Sequence, residues 1–387
     1  MKEGWEYCQL EDAVKKGSSN ISLNKIKGED GKYPVFAAKG YVQNVSFYHQ
    51  EEDYLAIIKD GAGIGRVSKH PAKSSVVGTM QYLIPKSGFD LDFVKYFLEG
   101  IDFEKHRNGS TIPHIYFKDY KSEKFPKISL PEQERIVSIL GRAFAAIDKA
   151  KANAEQNLQN AKELFESYLE GVFEKKGADW QTRTLSDLVD EECKLSYGIV
   201  QPGQDYHDGL PVVRPTDLST RYIKRQGLKL IDPKLAEGYK RTKLIGDELL
   251  LCVRGSTGVL SIATEELKGA NVTRGIVPIR FNLELIDQDF GYYLLISNFV
   301  QNQIRVKTYG AALMQINIGD LRKIETPYPK SLNEQQTIVR KLDSLRTETQ
   351  NLEAVYQKKI ADLEELKKSV LQKAFAGELE TEKVVVV

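Results

Sequence analysis

A chain of 387 residues, 41% hydrophobic and 28% charged, is too long for one ordinary core and is expected to fold as two or three soluble domains. Basic and acidic residues nearly cancel, 55 against 54, which excludes a polycation that coats its partners by bulk charge but leaves room for locally placed patches. No stretch is apolar enough to span a bilayer, and Met1-Lys2-Glu3-Gly4-Trp5 lacks a signal-peptide core. The three cysteines, Cys8, Cys193 and Cys252, show neither metal spacing nor a disulfide framework. The cytoplasm is therefore the expected compartment, and the thiols are expected to be buried as small apolar groups.

In chain order, residues 1–129 open with Trp5…Leu10-Glu11-Asp12-Ala13-Val14. Short runs rich in β-branched and aromatic residues follow, such as Tyr54-Leu55-Ala56-Ile57-Ile58 and Gln81-Tyr82-Leu83-Ile84, broken by Gly, Pro and Asp. These predict strands of a mixed or mainly antiparallel sheet with long loops. A short helical signal, Asp92-Phe93-Val94-Lys95-Tyr96-Phe97-Leu98, and a glycine loop, Gly109-Ser110-Thr111-Ile112-Pro113-His114-Ile115, complete the region. Residues 130–177 then read as one long helix opened by Leu130-Pro131-Glu132-Gln133-Glu134-Arg135-Ile136-Val137. Leu140, Ala143, Ile147, Ala150, Ala154, Ala161, Leu164 and Tyr168 form its heptad stripe, and the alanines would let a partner helix come close. Pro131 suits a first helical position, and Gly177 a left-handed residue beyond the end.

Residues 178–331 repeat the first region in the same order, with Trp180…Leu185-Ser186-Asp187-Leu188-Val189, Asp289-Phe290-Gly291-Tyr292-Tyr293-Leu294-Leu295 and Gly310-Ala311-Ala312-Leu313-Met314-Gln315-Ile316. Strand runs recur here too, at Glu248-Leu249-Leu250-Leu251-Cys252-Val253 and Gly275-Ile276-Val277-Pro278-Ile279. Residues 332–380 repeat the helix, opened by Leu332-Asn333-Glu334-Gln335-Gln336-Thr337-Ile338-Val339. Leu342, Leu345, Thr349, Leu352, Tyr356, Leu363, Leu366 and Val370 carry its stripe, Asn333 with Gln336 resembles a capping box, and Gly377 suits the C-terminal cap. Residues 381–387 read as a frayed tail. Each of the two non-helical regions carries a net charge of about +2.

The duplication predicts an α+β protein of two homologous globular modules separated by two long antiparallel helices, a coiled-coil spacer with pseudo-two-fold symmetry. About 45 residues at 1.5 Å rise make each helix a rod of roughly 65 Å. The two Trp-led modules, the two Leu-x-Glu-Gln-x-x-Ile-Val openings and the ending Leu371-Gln372-Lys373-Ala374-Phe375-Ala376-Gly377-Glu378-Leu379 resemble the specificity subunit of type I restriction–modification enzymes over essentially the whole chain. That resemblance implies two target-recognition domains, each reading half of a bipartite double-stranded DNA target, with the helix pair fixing the distance between halves. It further implies two methyltransferase (modification) subunits and two motor/nuclease (restriction) subunits as partners. S-adenosylmethionine, ATP and Mg would belong to those partners, leaving no cofactor in this chain.

The motifs agree with a non-catalytic chain. Lys59-Asp60-Gly61-Ala62-Gly63-Ile64-Gly65 follows a strand, but Arg66-Val67-Ser68-Lys69-His70-Pro71 predicts another strand where a cofactor loop should open a helix. The glycines therefore read as a hairpin turn or a DNA-facing loop, with Arg254-Gly255-Ser256-Thr257-Gly258 at the equivalent place in the second region. A base-amine methyltransferase needs an Asn/Asp-Pro-Pro-aromatic tetrapeptide, for which Thr326-Pro327-Tyr328-Pro329 lacks the polar residue. No Gly-Lys-Ser/Thr step exists, Asp232-Pro233-Lys234 reads as a turn, and the five histidines show no metal spacing.

For DNA contact the sequence offers loop residues with hydrogen-bonding heads near glycine or proline. In the first module these are Lys39, Gln43, Asn44, Arg66, Arg107, Asn108, Ser110, Thr111 and His114. In the second they are Tyr197, Gln201, Arg214, Thr216, Arg221, Arg254, Ser256, Arg274, Lys307, Tyr309 and Gln315. Arg and Lys can read guanine, Asn and Gln adenine, and each can equally hold the fold or a phosphate. Large apolar groups at the helix ends, Phe165, Tyr168, Leu169, Phe173, Leu371 and Phe375, either dock methyltransferase helices or cap the bundle onto the modules. Two further readings stay open, a methyltransferase or nuclease acting alone and a coiled-coil adaptor that binds no DNA.

Overall fold

The run Tyr54-Leu55-Ala56-Ile57-Ile58 is apolar throughout because its strand is buried on both faces. In the computed structural model, which describes residues 4–192, 194–311 and 313–379, Tyr54, Ala56 and Ile58 face one core cluster and Leu55 and Ile57 another. Successive side chains on a strand alternate sides, so a single run serves two cores. Leu249-Leu250-Leu251-Cys252 does the same in the second module, Leu249 and Leu251 facing one cluster and Leu250 and Cys252 another. Cys252 is thus a buried apolar group, as expected, while Cys8 is only part-buried. Cys193 and the tail residues 381–387 lie outside the described residues.

The chain divides into two units, residues up to Gln156 with those from Tyr356 onward, and Asn157–Val355. In the first, β1 (Glu6–Gln9) pairs with β9 (Lys124–Lys127). A four-stranded sheet runs β2 (Val14–Ser18), β8 (Met80–Pro85), β5 (Tyr54–Ile58), β6 (Val67–His70). A three-stranded sheet runs β4 (Gly40–Val45), β3 (Tyr33–Ala37), β7 (Ser75–Val76), with β3 antiparallel to β4 and parallel to β7. Helix α1 (Leu91–Glu99) covers the four-stranded sheet.

The second unit repeats this plan. The pair β10 (Trp180–Thr184) and β18 (Glu325–Pro329) matches β1 and β9. The three-stranded sheet of β13 (Lys229–Ile231), β11 (Leu210–Val213) and β16 (Asn271–Val272) keeps one antiparallel and one parallel pairing. The four-stranded sheet runs β12 (Tyr222–Ile223), β15 (Leu260–Ala263), β14 (Leu249–Cys252), β17 (Ile276–Ile279). Its outer strand β12 joins the edge opposite to the one β2 takes in the first module. Of a β2 equivalent only the single bridge Val189–Phe281 remains. Helices α2 (Gln288–Ile296) and α3 (Asn298–Lys307) complete the module.

Two 45-residue helices, Leu130–Glu174 and Leu332–Ala376, run through the repeat. Within the first unit their segments are antiparallel, since Asp148 meets Lys367 at 3.1 Å and Lys151 meets Glu364 at 2.6 Å. Within the second unit Leu169 and Phe173 share a cluster with Val339 and Leu342, and Arg346 lies over the Phe165 ring, the same sense of pairing. Ala154 and Ala161 are buried as the stripe predicts, but Leu164, Tyr168, Leu352 and Leu366 are exposed. Beyond Ala161 the inward positions step by four through part-buried Phe165 and buried Leu169 and Phe173, which turns the face away from a heptad seam and onto the second module.

Three terminal details differ from expectation. The helices begin at Leu130 and Leu332. Pro131 therefore occupies the second position, where its missing N–H is still one of the unpaired four. Ser331, not Asn333, caps the second helix, its hydroxyl accepting from the Glu334 amide. The central helix ends at Glu174, and Gly177 is instead the turn residue that seats Trp180, whose ring stands 3.0 Å from where a Cβ would be. Gly377 does adopt a left-handed φ of 75°.

The repeated Glu-Gln of the helix openings has a structural purpose. Gln133, fully buried, accepts from the Asp90 amide (2.8 Å) and donates to the carbonyls of Gly88 and Ile128 (both 2.9 Å). Gln335, also fully buried, accepts from the Asp287 amide (2.7 Å) and donates to Leu285 (2.8 Å) and Pro329 (2.9 Å). Asp90 and Asp287 in turn cap α1 and α2 through the Phe93 and Phe290 amides. We expect Q133L to strand one buried donor and two acceptors and to cost the first unit about 2–4 kcal/mol in urea unfolding. A midpoint shift equivalent to less than about 0.5 kcal/mol would contradict this clasp.

His70, buried between Tyr54 and Phe36 and bonded to Ser68 (2.7 Å), is pushed down by desolvation to about 4. The unfolded chain binds this proton at about 6.5 and the folded one does not, so stability is full above 6.5 and falls as the pH drops toward 4. The first unit should lose up to about 3 kcal/mol over that window. In H70Q the corresponding slope should flatten, and an unchanged slope would assign the acid sensitivity elsewhere.

Candidate nucleic-acid interface

Hairpin β5–β6 closes through the glycine loop, the Gly65 amide bonding Ile58 O (2.9 Å) and the Ile58 amide bonding Arg66 O (3.0 Å). The loop joins two antiparallel strands and opens no helix, the hairpin reading of the motif. The loop at residues 109–113 is drawn onto it. The Gly61 amide bonds Pro113 O (2.9 Å), the Ile115 amide bonds Lys59 O (2.9 Å), and Asn108 and His114 exchange both backbone hydrogen bonds at 2.8 Å. Gly109 must be glycine here. Its φ is 84°, and a Cβ would stand 2.4 Å from Ile112 O.

The second module builds the same frame bond for bond. The Gly258 amide bonds Cys252 O (2.9 Å), the Cys252 amide bonds Val259 O (2.8 Å), and the Gly255 amide bonds Met314 O (2.8 Å). The Ile316 amide bonds Val253 O (3.0 Å), and Tyr309 and Gln315 exchange both backbone bonds. Gly310, with φ 121°, repeats the clash of Gly109, its Cβ position lying 2.3 Å from Leu313 O. Asp60 and His114 thus correspond to Arg254 and Gln315, the two members of each pair bridged backbone to backbone.

On this shared frame the side chains differ. In the first module His114 Nδ1 lies 2.7 Å from Asp60 Oδ1, and Lys59 reaches the other oxygen at 3.1 Å. Ser110, Thr111 and Ile112 stand exposed at the tip, Ile112 at 58%. In the second, Gln315 donates to the Tyr309 hydroxyl (3.1 Å), which donates to Asn317. Leu313 and Met314 project at that tip, beside exposed Ser256. Donors, acceptors and apolar groups side by side on a protruding loop can address base edges and thymine methyls in a groove.

Other candidates are engaged within the fold. Gln43 donates to the carbonyls of Ile26 and Glu29, Asn44 accepts from Tyr41, and Arg66 reaches Ala38 O. Arg107 pairs with Glu104, Asn108 donates to Asp119, and Arg214 is bidentate on Asp217. The Tyr197 hydroxyl bridges Ile316 and Ile318, with Arg274 over its ring. Lys39, Gln201, Thr216 and Arg274 are exposed, and Lys307 is half-buried at the end of α3. The frame brings together His114, Ser110, Thr111 and Asn108 in one module, and Arg254, Ser256, Tyr309 and Gln315 in the other. Asp60 and the apolar tips Ile112, Leu313 and Met314 were not among the sequence candidates. The equivalence of Asp60 with Arg254 was the signal available for the first.

Two further sets of candidates take part in the fold. Arg221 is held by side chains of its own unit. It lies over Tyr292 (4.5 Å), between Tyr222 and Tyr293, and bonds Asp343 on the C-terminal helix (2.8 Å) and Asp289 on α2 (3.2 Å). Burial opposes its charge, yet the hydrogen bond it donates to Asp343 and the surrounding field hold its pKa above the usual arginine value. Half-exposed Asp289 is itself shifted upward by desolvation, so Asp343 carries the pairing. Leu169, Phe173 and Leu371 are buried in the module cores, Phe375 packs on Phe93 and Phe97, and Phe165 packs on Tyr293. Those groups cap the bundle, because the helix ends are where each module seats itself, and only Tyr168 remains exposed. We expect R221A to destabilise the second unit by about 2 kcal/mol, its carboxylates being half-exposed. D343N should cost more than D289N in thermal melts, and the reverse order would refute Asp343 as the anchor.

Among the described residues no group of three His, Cys, Asp or Glu side chains is placed to hold a metal ion, and no helix is long and apolar enough to cross a membrane. Comparison with known proteins is specific. The specificity subunit of the type I restriction enzyme EcoBI from Escherichia coli is 26% identical over 291 residues, 70% of this chain and 61% of that protein's length. The MjaVIII specificity subunit from Methanocaldococcus jannaschii is 22% identical, with 97% of this chain and 93% of that one covered. In fold, the HsdS subunit from Thermoanaerobacter tengcongensis matches with a TM-score of 0.61 at 16% identity, each chain 98% covered. A chain from a structure described as the basis of complex assembly and conformational transition of the type I R-M system matches with a TM-score of 0.73 at 15% identity, covering 98% of this chain and 99% of that one. Residues 2–158 and 177–362 both match the type I restriction modification DNA specificity domain, and the chain belongs to that family.

Proposed function

We propose that this chain is the non-catalytic DNA-recognition subunit of a type I restriction–modification complex, each module reading one half of a bipartite target. The observation that carries the reading is the two-loop frame, built bond for bond in both modules and dressed with different side chains. One frame carrying different reading groups suits two different half-sites, which a single repeated reader would not. The paired helices would serve as the spacer. Methyltransferase subunits would dock on helix faces that keep apolar groups in solvent, Tyr168, Leu164, Leu352 and Val355 in the second unit and Leu366 in the first. Two such subunits and two motor/nuclease subunits would bring S-adenosylmethionine, ATP and Mg, and with them the chemistry. With a net charge of only +1, the chain would also draw much of its phosphate contact from those partners in the cytoplasm.

The spacer idea has a direct test. Inserting one heptad into each long helix lengthens each by about 10 Å, close to three base pairs. The assembled methyltransferase should then modify sites whose half-sites are unchanged and whose spacer is longer by about that amount. Altered half-sites with an unaltered spacer would overturn the assignment.

A further inference from the structure

We propose that the bridged pair at the root of each two-loop frame, Asp60 with His114 and Arg254 with Gln315, is the position that sets base choice, with Arg254 reading a guanine. This rests on the DNA-recognition reading above and assigns it to particular side chains. In each module the pair sits where the hairpin loop and the closing loop are stitched together, so its backbone is held by both loops. A side chain there is presented from a rigid base, while the tip residues beyond it are exposed. Reading by hydrogen bond needs such pre-organised geometry, because a mobile donor gives up in ordering what it gains in contact.

The chemistry at the two equivalent positions is opposite in polarity. Arg254 offers only donors, and among the described residues its guanidinium makes no hydrogen bond or ion pair, unlike Arg221, which is held by Asp343 and Asp289. Terminal guanidinium nitrogens left unpaired beside a glycine loop suit an acceptor pair such as guanine O6 and N7. Gln315 adds an amide next to it, oriented by Tyr309. In the first module the same place holds the Asp60 carboxylate, fixed by Lys59 and His114, which accepts hydrogen bonds. It suits a base amino group, that of cytosine or adenine. The same backbone frame therefore selects an acceptor edge in one module and a donor edge in the other.

The test is the modification pattern of the assembled methyltransferase carrying this chain, read on a randomised DNA library for wild type, R254A, R254K and R254Q. Wild type should give a bipartite motif. R254A should lower discrimination at one guanine of one half-site about tenfold or more and leave the other half-site intact, an internal control for folding and assembly. R254Q should move the preference at that position toward adenine. If R254A abolishes modification altogether, R254K decides, since it keeps the charge but loses the fork and should weaken the guanine preference alone. Full retention of the wild-type preference in R254K and R254Q, or loss spread evenly over both half-sites, would overturn the assignment. A wild-type chain that yields no bipartite motif would instead sink the recognition reading itself.

Discussion

Two buried glutamine amides set the register on which the rest of the molecule depends. Each long helix must meet its module at one rotation and one height, and apolar contact alone tolerates sliding by a turn. A primary amide with one acceptor and two donors, satisfied by a backbone amide and two carbonyls of the module, has no alternative position in which all its bonds are met. Because Gln335 repeats the arrangement with Asp287, Leu285 and Pro329, the two ends of the duplication are locked by the same device. The amide also reaches the cap of the module's own helix, since Asp90 and Asp287 each hold a first-turn amide of α1 or α2. Helix entry, helix cap and module core are thereby one cooperative patch.

With that register fixed, the helix faces are divided between two demands. Near its ends each helix gives its apolar face to a module, so Phe144 and Leu371 belong to one core and Leu169, Phe173 and Leu342 to the other. Between those ends small residues such as Ala154 and Ala161 serve the pairing. Arg221 works at this same boundary, tying β12's module to the C-terminal helix through Asp343. The apolar groups that looked surplus in the sequence are those that seat the modules.

Much of this was legible in the residues, and the parts that were not have a common cause. The duplication, the α+β class, the long helices and the fully buried runs at 54–58 and 249–252 follow from periodicity and local composition, which are properties of neighbouring residues. Asp60 against His114, Arg221 against Asp343 and Gln133 against Asp90 join residues 54, 122 and 43 positions apart, and no local pattern encodes such meetings. The heptad stripe failed at Leu164 and Leu352 for a related reason. Spacing shows which residues share a face, but which of two partners that face meets is decided by tertiary packing. The capping box at Asn333 missed by two residues, Ser331 being the cap, the usual uncertainty of helix ends.

The loop frame shows why recognition can diverge without disturbing the fold. The hydrogen bonds that both modules share run between backbone groups, and the side-chain demands common to both are a few glycines, such as Gly109 and Gly310, whose Cβ atoms would strike a carbonyl. Among the described residues the Arg254 side chain makes no bond that holds the two loops together, and the Asp60–His114 contact is added to a bridge the main chain already closes, so the position tolerates groups of opposite polarity. Fold constraints thus fall on the main chain and reading chemistry on side chains carried at the same bridge. A chain built twice on that plan can keep two scaffolds nearly alike while its two modules address different bases, because main-chain hydrogen bonds common to both modules close the frame and the side chains that differ between them choose the base.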